Sequence, residues 1–525
     1  MRLALVLVPI ILTMKVALGA GQPSWFPEKA CESAHLETNT ISERKNCYKP
    51  WTVLVFMEAD NDLSPYSYWD LYEMERKMKK YPHGASSILS DVLVEWDNES
   101  DDGIRRLHVQ ETEEEYDQSV DLSFFKKAKP SLLKSPVVAH FGERDFPIKE
   151  RLKNFLEWGI KEYPAKNYMV VIWGHGEGYI GSPESQQTTS GLFPSPATNN
   201  SMFLNENDLA LNFDYQFEST FPAPKNFGGV ALDYSDLEYL DIPAISETLE
   251  DIRLFTLEEE KKIDILAFDA CLMQSLEVAF DLKDSVEFLV GSDQIQNYLG
   301  MPYKMLMSKL NDKIITPYEF AKEIPALVEE SFSKGGYQGD IDPEGLRTFT
   351  VSSINLEEME LLLLPALSDF SQAMMKYIDE KMIRKLELGF ILEKTPSFQG
   401  ESRDIGIFMG SLLMLLTEEA ERNGTWSQAS QKLYEASQSV LYAINRSTMS
   451  YAYGTMYYSP QDSQNKNYLL GFFKGLSAWI PKSGNTYKIR KSEFEKSSLF
   501  GHEFQGIQWQ GWLEKIYDDA SPFPF

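Results

Sequence analysis

The stretch ILAFDACLMQSLEVAFDLKD, residues Ile265–Asp284, decides how this chain is read. It opens as a short unbroken apolar run and then meets Asp269, Ala270 and Cys271. Apolar residues at helical spacing follow. A continuous apolar run bounded by polar residues is the pattern of a strand buried on both faces. The spacing therefore predicts a strand ending at Asp269 and a helix beginning near Leu272, with a cysteine at the junction. At a helix start, backbone amides and the helix dipole favour a thiolate.

The neighbouring segments repeat the alternation. WTVLVFMEAD (Trp51–Asp60), SDVLVEWD (Ser90–Asp97), NYMVVIWGHG (Asn167–Gly176) and SVEFLVGSD (Ser285–Asp293) read as further buried strands. PIKERLKNFLEWGIKEYP reads as a helix stopped by Pro164, and DIPAISETLEDI as a helix with Asp241 at its N-cap and Pro243 in its first turn. Strands alternating with helices predict an α/β fold with a mostly parallel sheet covered on both faces. In such sheets ligands bind beyond the carboxyl ends of the strands. Three of those ends carry polar residues: EADND, GHGEG and DACLM.

At 525 residues the chain exceeds one compact core. A formal charge of −29 argues against nucleic acid and anionic membranes, since phosphate neutralisation needs clustered Lys and Arg. The N-terminus, with Arg2, an apolar stretch from Leu3 to Met14 and the small residues Ala17, Gly19 and Ala20, has the layout of a signal peptide. No later segment is long and apolar enough to anchor the chain in a membrane. Export to an oxidising compartment pairs Cys31 with Cys47 and leaves Cys271 as a free thiol.

A free thiol at a strand end is either a buried packing residue or a nucleophile. His175 at a matching strand end favours the second. It can carry a proton to a leaving amine. The Gly176 and Cys271 amides are suited to hold an oxyanion. Asp269 and Cys271, two residues apart near a strand end, share a face at roughly 7 Å. That spacing suits Asp269 to anchor a positive substrate side chain.

NYMVVIWGHGEGY followed by ILAFDACLMQSLEVAFDL resembles the clostripain family of cysteine peptidases, in the clan of caspases, legumain and gingipains. WTVLVFMEADNDL, LDYSDLEYLDIPAISETL, GLSAWIP and QWQGWLEKIY extend the resemblance over most of residues 51–517. It implies a caspase-like α/β/α sandwich and a peptide-bond hydrolase, with His175 and Cys271 catalytic. It also implies that Asp269 selects Arg or Lys at the substrate's P1 position and that the loop GSDQIQNYLGMPY completes the pocket. Asp293 is the acid that loop offers. The Gln294, Ile295, Gln296 and Asn297 that follow depart from the consecutive acids common in the family. Some members need calcium. Here Glu58, Asp60, Asn61 and Asp62 are rich in oxygen, but their spacing fits no standard calcium loop. Some members are cut in the loop after the histidine, and Lys225 is the one basic residue in that segment.

The resulting expectation is a signal peptide over residues 1–20, an extension over 21–50, a catalytic domain over 51–335 with a long loop at 180–228, and a helix-rich region over 336–525. The protein would be secreted or periplasmic and would act on protein or peptide substrates, cutting after Arg or Lys. The alternatives are a same-clan peptidase of neutral or amide P1 preference, and a secreted binding module without turnover.

Overall fold

The computed structural model describes residues 26–27, 29–31, 47–99, 103–117, 122–142, 145–179, 228–257, 261–341, 349–380, 391–392, 395, 402–454, 472–481, 484–501 and 509–517. The signal-peptide segment and nearly all of the 180–228 loop, with Lys225, lie outside them. No described helix is long and apolar enough to cross a membrane.

Among the described residues the strands are Lys49–Ala59 (β1), Ser90–Asn98 (β2), Ile104–His108 (β3), Val137–Phe141 (β4), Ala165–Trp173 (β5), Gly176–Gly178 (β6), Gly229–Val230 (β7), Ile263–Asp269 (β8), Val286–Gly291 (β9), Thr350–Asn355 (β10), Ser402–Asp404 (β11), Thr448–Tyr453 (β12) and Ser477–Trp479 (β13). Nine of them form one sheet in the order β12-β10-β9-β8-β5-β1-β2-β3-β4. The five central strands, from β9 to β2, are parallel. Antiparallel pairs, β10–β12 and β3–β4, close the two edges. β6 pairs with β7, and β11 with β13.

The apolar runs have the physical role their sequence suggests. Side chains alternate across a strand, so Val53, Val55 and Met57 of β1 enter one core while Leu54 and Phe56 enter the other. The first core is covered by helices Ser64–Glu75, Tyr303–Asp312 and Pro317–Phe332. Helices Ile148–Glu162, Ile242–Phe255, Leu364–Glu380, Ile405–Asn423 and Gln428–Ser447 cover the second. The result is an α/β/α sandwich. Asp241 caps its helix as its sequence predicts, accepting from the Ala244 N–H at 2.8 Å. Cys31 and Cys47 are disulfide-bonded, and Cys271 is free.

Two readings change. The boundary at 335/336 does not separate distinct cores: β10 and β12 extend the main sheet, and the later helices pack on its face. The helix after Cys271 starts late, at Leu276, with Ser275 as its N-cap. Leu272 adopts a φ of 64°, a left-handed conformation that turns the chain before a helix forms.

Candidate active site

Strand register brings the polar ends together. Met57 of β1 lies opposite Trp173 of β5, and Trp173 opposite Asp269 of β8. Each chain then leaves the sheet on the same side. The Gly174 N–H still donates to the Asp269 carbonyl at 3.3 Å. Two residues beyond the Trp173–Asp269 pair lie His175 and Cys271, and both line one pocket. Leu63, Trp173, Asp269, Gln296 and Tyr298 line it as well.

His175 is held from the β1 end. Its Nε2 lies 2.6 Å from Asp62 Oδ1. The Tyr234 hydroxyl donates to the same Asp62 oxygen at 3.2 Å, and its ring stacks on the imidazole with centroids 5.9 Å apart. Burial works to raise the Asp62 carboxyl. The charge and hydrogen bond of His175, with the Tyr234 bond, outweigh it and hold Asp62 below its ordinary value. Behind the ring, the His175 carbonyl accepts from Ala231 at 2.9 Å, tying the histidine turn to the segment that carries Tyr234.

Cys271 does not sit at a helix terminus, so the dipole expected from the sequence does not act on it. Its Sγ accepts a hydrogen bond from the Gln296 backbone N–H at 3.2 Å. Burial pushes the thiol up to about 12, the Gln296 bond opposes this, and the charges of Glu177 and Asp269 add to it. In this resting arrangement the cysteine is a protonated thiol at neutral pH.

Gly176 crosses directly over the cysteine backbone. A Cβ placed there would lie 2.3 Å from the Cys271 carbonyl oxygen, so only glycine permits the approach. The residue expected to supply an oxyanion amide is thus packed against the Cys271 peptide.

Asp269 is buried on the side of the sheet covered by the Ser64–Glu75 and Tyr303–Asp312 helices. It accepts from Gln296 Nε2 at 2.6 Å, from Tyr303 Oη at 2.8 Å and from the Met301 N–H at 3.1 Å to each oxygen. Burial raises its carboxyl to about 6 against these bonds. Gly300, at a φ of 60°, passes so close that a Cβ would meet the carboxylate at 2.8 Å. Asp293 is only 1% exposed and is not among the residues lining the pocket.

Asp62, Tyr234, Gln296 and Tyr303 are the residues whose role sequence reasoning missed. Asp62 lies in the EADND cluster at a strand end, and that position was its signal. Tyr234 stands in LDYSDL, which the resemblance included without assigning it a role.

The acids of the first strand also bear on calcium. Among the described residues, Glu58, Asp97 and Asp233 bring carboxylate oxygens within 4.8 Å of one another. The Arg151 guanidinium already lies there, 3.1 Å from Glu58 and 2.7 Å from Asp97. Burial, then the charge of Asp97, raises Glu58 well above its usual value although Arg151 opposes them. A calcium ion needs six to eight oxygens and would have to expel the guanidinium, so this donor set does not fit it.

A thiol and an imidazole past neighbouring parallel strand ends share one pocket with a buried acid on an α/β sandwich, an arrangement suited to thiol chemistry. The profile of the clostripain family matches residues 55–219 and 222–515, and the chain belongs to that family. It is a cysteine peptidase. Solved structures show the same fold. A secreted C11 cysteine protease from Bacteroides thetaiotaomicron, "iotapain", is 13% identical with a TM-score of 0.50, covering 86% of this chain and 99% of that one. An inactive zymogen C11 protease from Parabacteroides distasonis is 14% identical with a TM-score of 0.50, covering 90% and 99%. No curated protein sequence matches the chain.

Proposed function

We propose that this peptidase is secreted and cleaves after Arg or Lys, with Cys271 as nucleophile and His175 as its proton carrier. With Nε2 engaged by Asp62, Nδ1 is the ring nitrogen that takes the thiol proton as Sγ attacks the scissile carbonyl. The carbonyl carbon becomes tetrahedral, and the amides of Gly176 and Cys271 stabilise the oxyanion. His175 then donates the proton to the leaving amine as the C–N bond breaks. Water, deprotonated by the same nitrogen, hydrolyses the thioester and restores the thiol.

The observation that carries the basic P1 preference is Asp269, a buried carboxylate lining the pocket that holds Cys271. A charge of that kind at low exposure is costly without a cationic partner, and a bound P1 side chain supplies one. Export rests on the N-terminal segment and fits the disulfide between Cys31 and Cys47.

The test is a fluorogenic peptide panel varied at P1, run on the wild type, Cys271→Ala and Asp269→Asn. Cys271→Ala should retain its fold by circular dichroism and lose turnover. Asp269→Asn should lose cleavage after Arg and Lys far more than cleavage after neutral residues. Equal losses at every P1 residue would make Asp269 structural and discard the pocket.

A further inference from the structure

Gln296 joins the pocket acid to the nucleophile. Its Nε2 donates to Asp269 at 2.6 Å while its backbone N–H donates to Cys271 Sγ at 3.2 Å. Its Oε1 is buried without a hydrogen-bond partner. The other donors on Asp269 are fixed. One is the Met301 backbone, and the other is the hydroxyl of Tyr303, a fully buried ring. A carboxylate has about four lone-pair sites, so the protein's own donors take up nearly all of its accepting capacity. A basic group that enters this pocket therefore meets an acid with one exchangeable partner.

We infer that Gln296 is a specificity-determining residue, a built-in occupant of the Asp269 carboxylate that an arginine or lysine P1 side chain must displace. The unpartnered Oε1 explains why displacement is feasible. The carboxamide is satisfied at one end only, and turning towards water restores a bond to the other. A neutral P1 side chain leaves Gln296 in place and does not incur this exchange. The resident amide thus holds selectivity for basic residues below what Asp269 alone would give. This inference rests on the basic-P1 reading above.

The experiment compares wild type, Gln296→Ala and Gln296→Met on peptides with Arg, Lys or a neutral residue at P1. The methionine keeps the length of the side chain and removes its donor, so it stands in if alanine loosens the loop. The readout is the ratio of kcat/KM for basic over neutral P1, which a general change in activity does not move. It should rise about tenfold in the variants, mainly through KM, the scale of one exchanged hydrogen bond to a charged group. An unchanged or lower ratio in both variants, with a wild-type preference that still depends on Asp269, would overturn this inference and leave the basic-P1 reading standing. A wild type with no basic preference would overturn both.

Discussion

Removing the Asp62 carboxylate should slow the enzyme by one to two orders of magnitude without unfolding it. Asp62 Oδ1 lies 2.6 Å from His175 Nε2. On the proposed mechanism Asp62 does two things there: it fixes the ring orientation, and it selects the tautomer whose Nδ1 accepts the Cys271 proton. A hydrogen bond of this charge-assisted kind is worth about 1.5–3 kcal/mol. If that stabilisation belongs to the transition state, in which the imidazole becomes imidazolium, its loss lowers kcat about 10- to 150-fold. The assay is steady-state hydrolysis of the best peptide from the P1 panel by Asp62→Ala across pH 5–9. KM should change little, since Asp62 lies behind the histidine. Tyr234→Phe removes the 3.2 Å bond to Asp62 and the 3.5 Å contact with His175 Nε2 and should cost a few-fold at most. A variant with unchanged kcat across that pH range would refute the positioning role and leave Cys271 and His175 acting without it.

The resting thiol should react with iodoacetamide at a rate that climbs about tenfold per pH unit from pH 6 to 9, as a thiol held up to about 12 requires; a plateau near neutrality would show a preformed thiolate. Cleavage after Arg relative to a neutral residue should fall as pH drops through about 6, because a raised Asp269 takes up its proton there and no longer attracts a cation; a ratio constant from pH 8 to 5 would contradict this. Arg151→Met leaves Glu58 and Asp97 buried without the guanidinium that lies against both. It should destabilise the fold by about 3–5 kcal/mol in urea unfolding, and a loss below about 1 kcal/mol would show that the acids neutralise themselves.

The sheet was legible because its strands are buried on both faces, which writes each as a continuous apolar run. The placement of His175 and Cys271 in one pocket was legible for the same reason: each stands just past the end of such a run. Asp62 was harder. Its role depends on β1 lying next to β5, a long-range pairing that leaves no mark in the local sequence. The helix after Cys271 begins at Leu276 rather than near Leu272, although apolar spacing continues smoothly through Leu272 and Met273. What interrupts it is the backbone at Leu272, and a leucine in a left-handed conformation gives no sequence signal. Gln296 stands in the sequence as a departure from an acidic pocket loop. Its contact with Asp269 follows from how that loop folds back over β8.

The resting geometry sets a constraint on how catalysis begins. The thiol is protonated, its sulfur is hydrogen-bonded to the Gln296 amide, and Asp269 is nearly filled by donors from the protein. Burial and the charges of Glu177 and Asp269 hold the proton on the sulfur, while the Gln296 bond favours the thiolate. The Gln296 bonds and the other donors to Asp269 belong to the loop from Gln296 to Tyr303, whereas Asp62, Tyr234 and His175 are tied to the β1, β5 and β7 segments. The two halves of the site are therefore unequal. His175 is held by Asp62 at the end of β1, and Asp269 by backbone and side-chain bonds from that loop. On the proposed mechanism, a substrate that engages Asp269 and displaces the Gln296 side chain would act on the same residue whose amide bonds the sulfur, which would couple recognition at P1 to the state of the thiol.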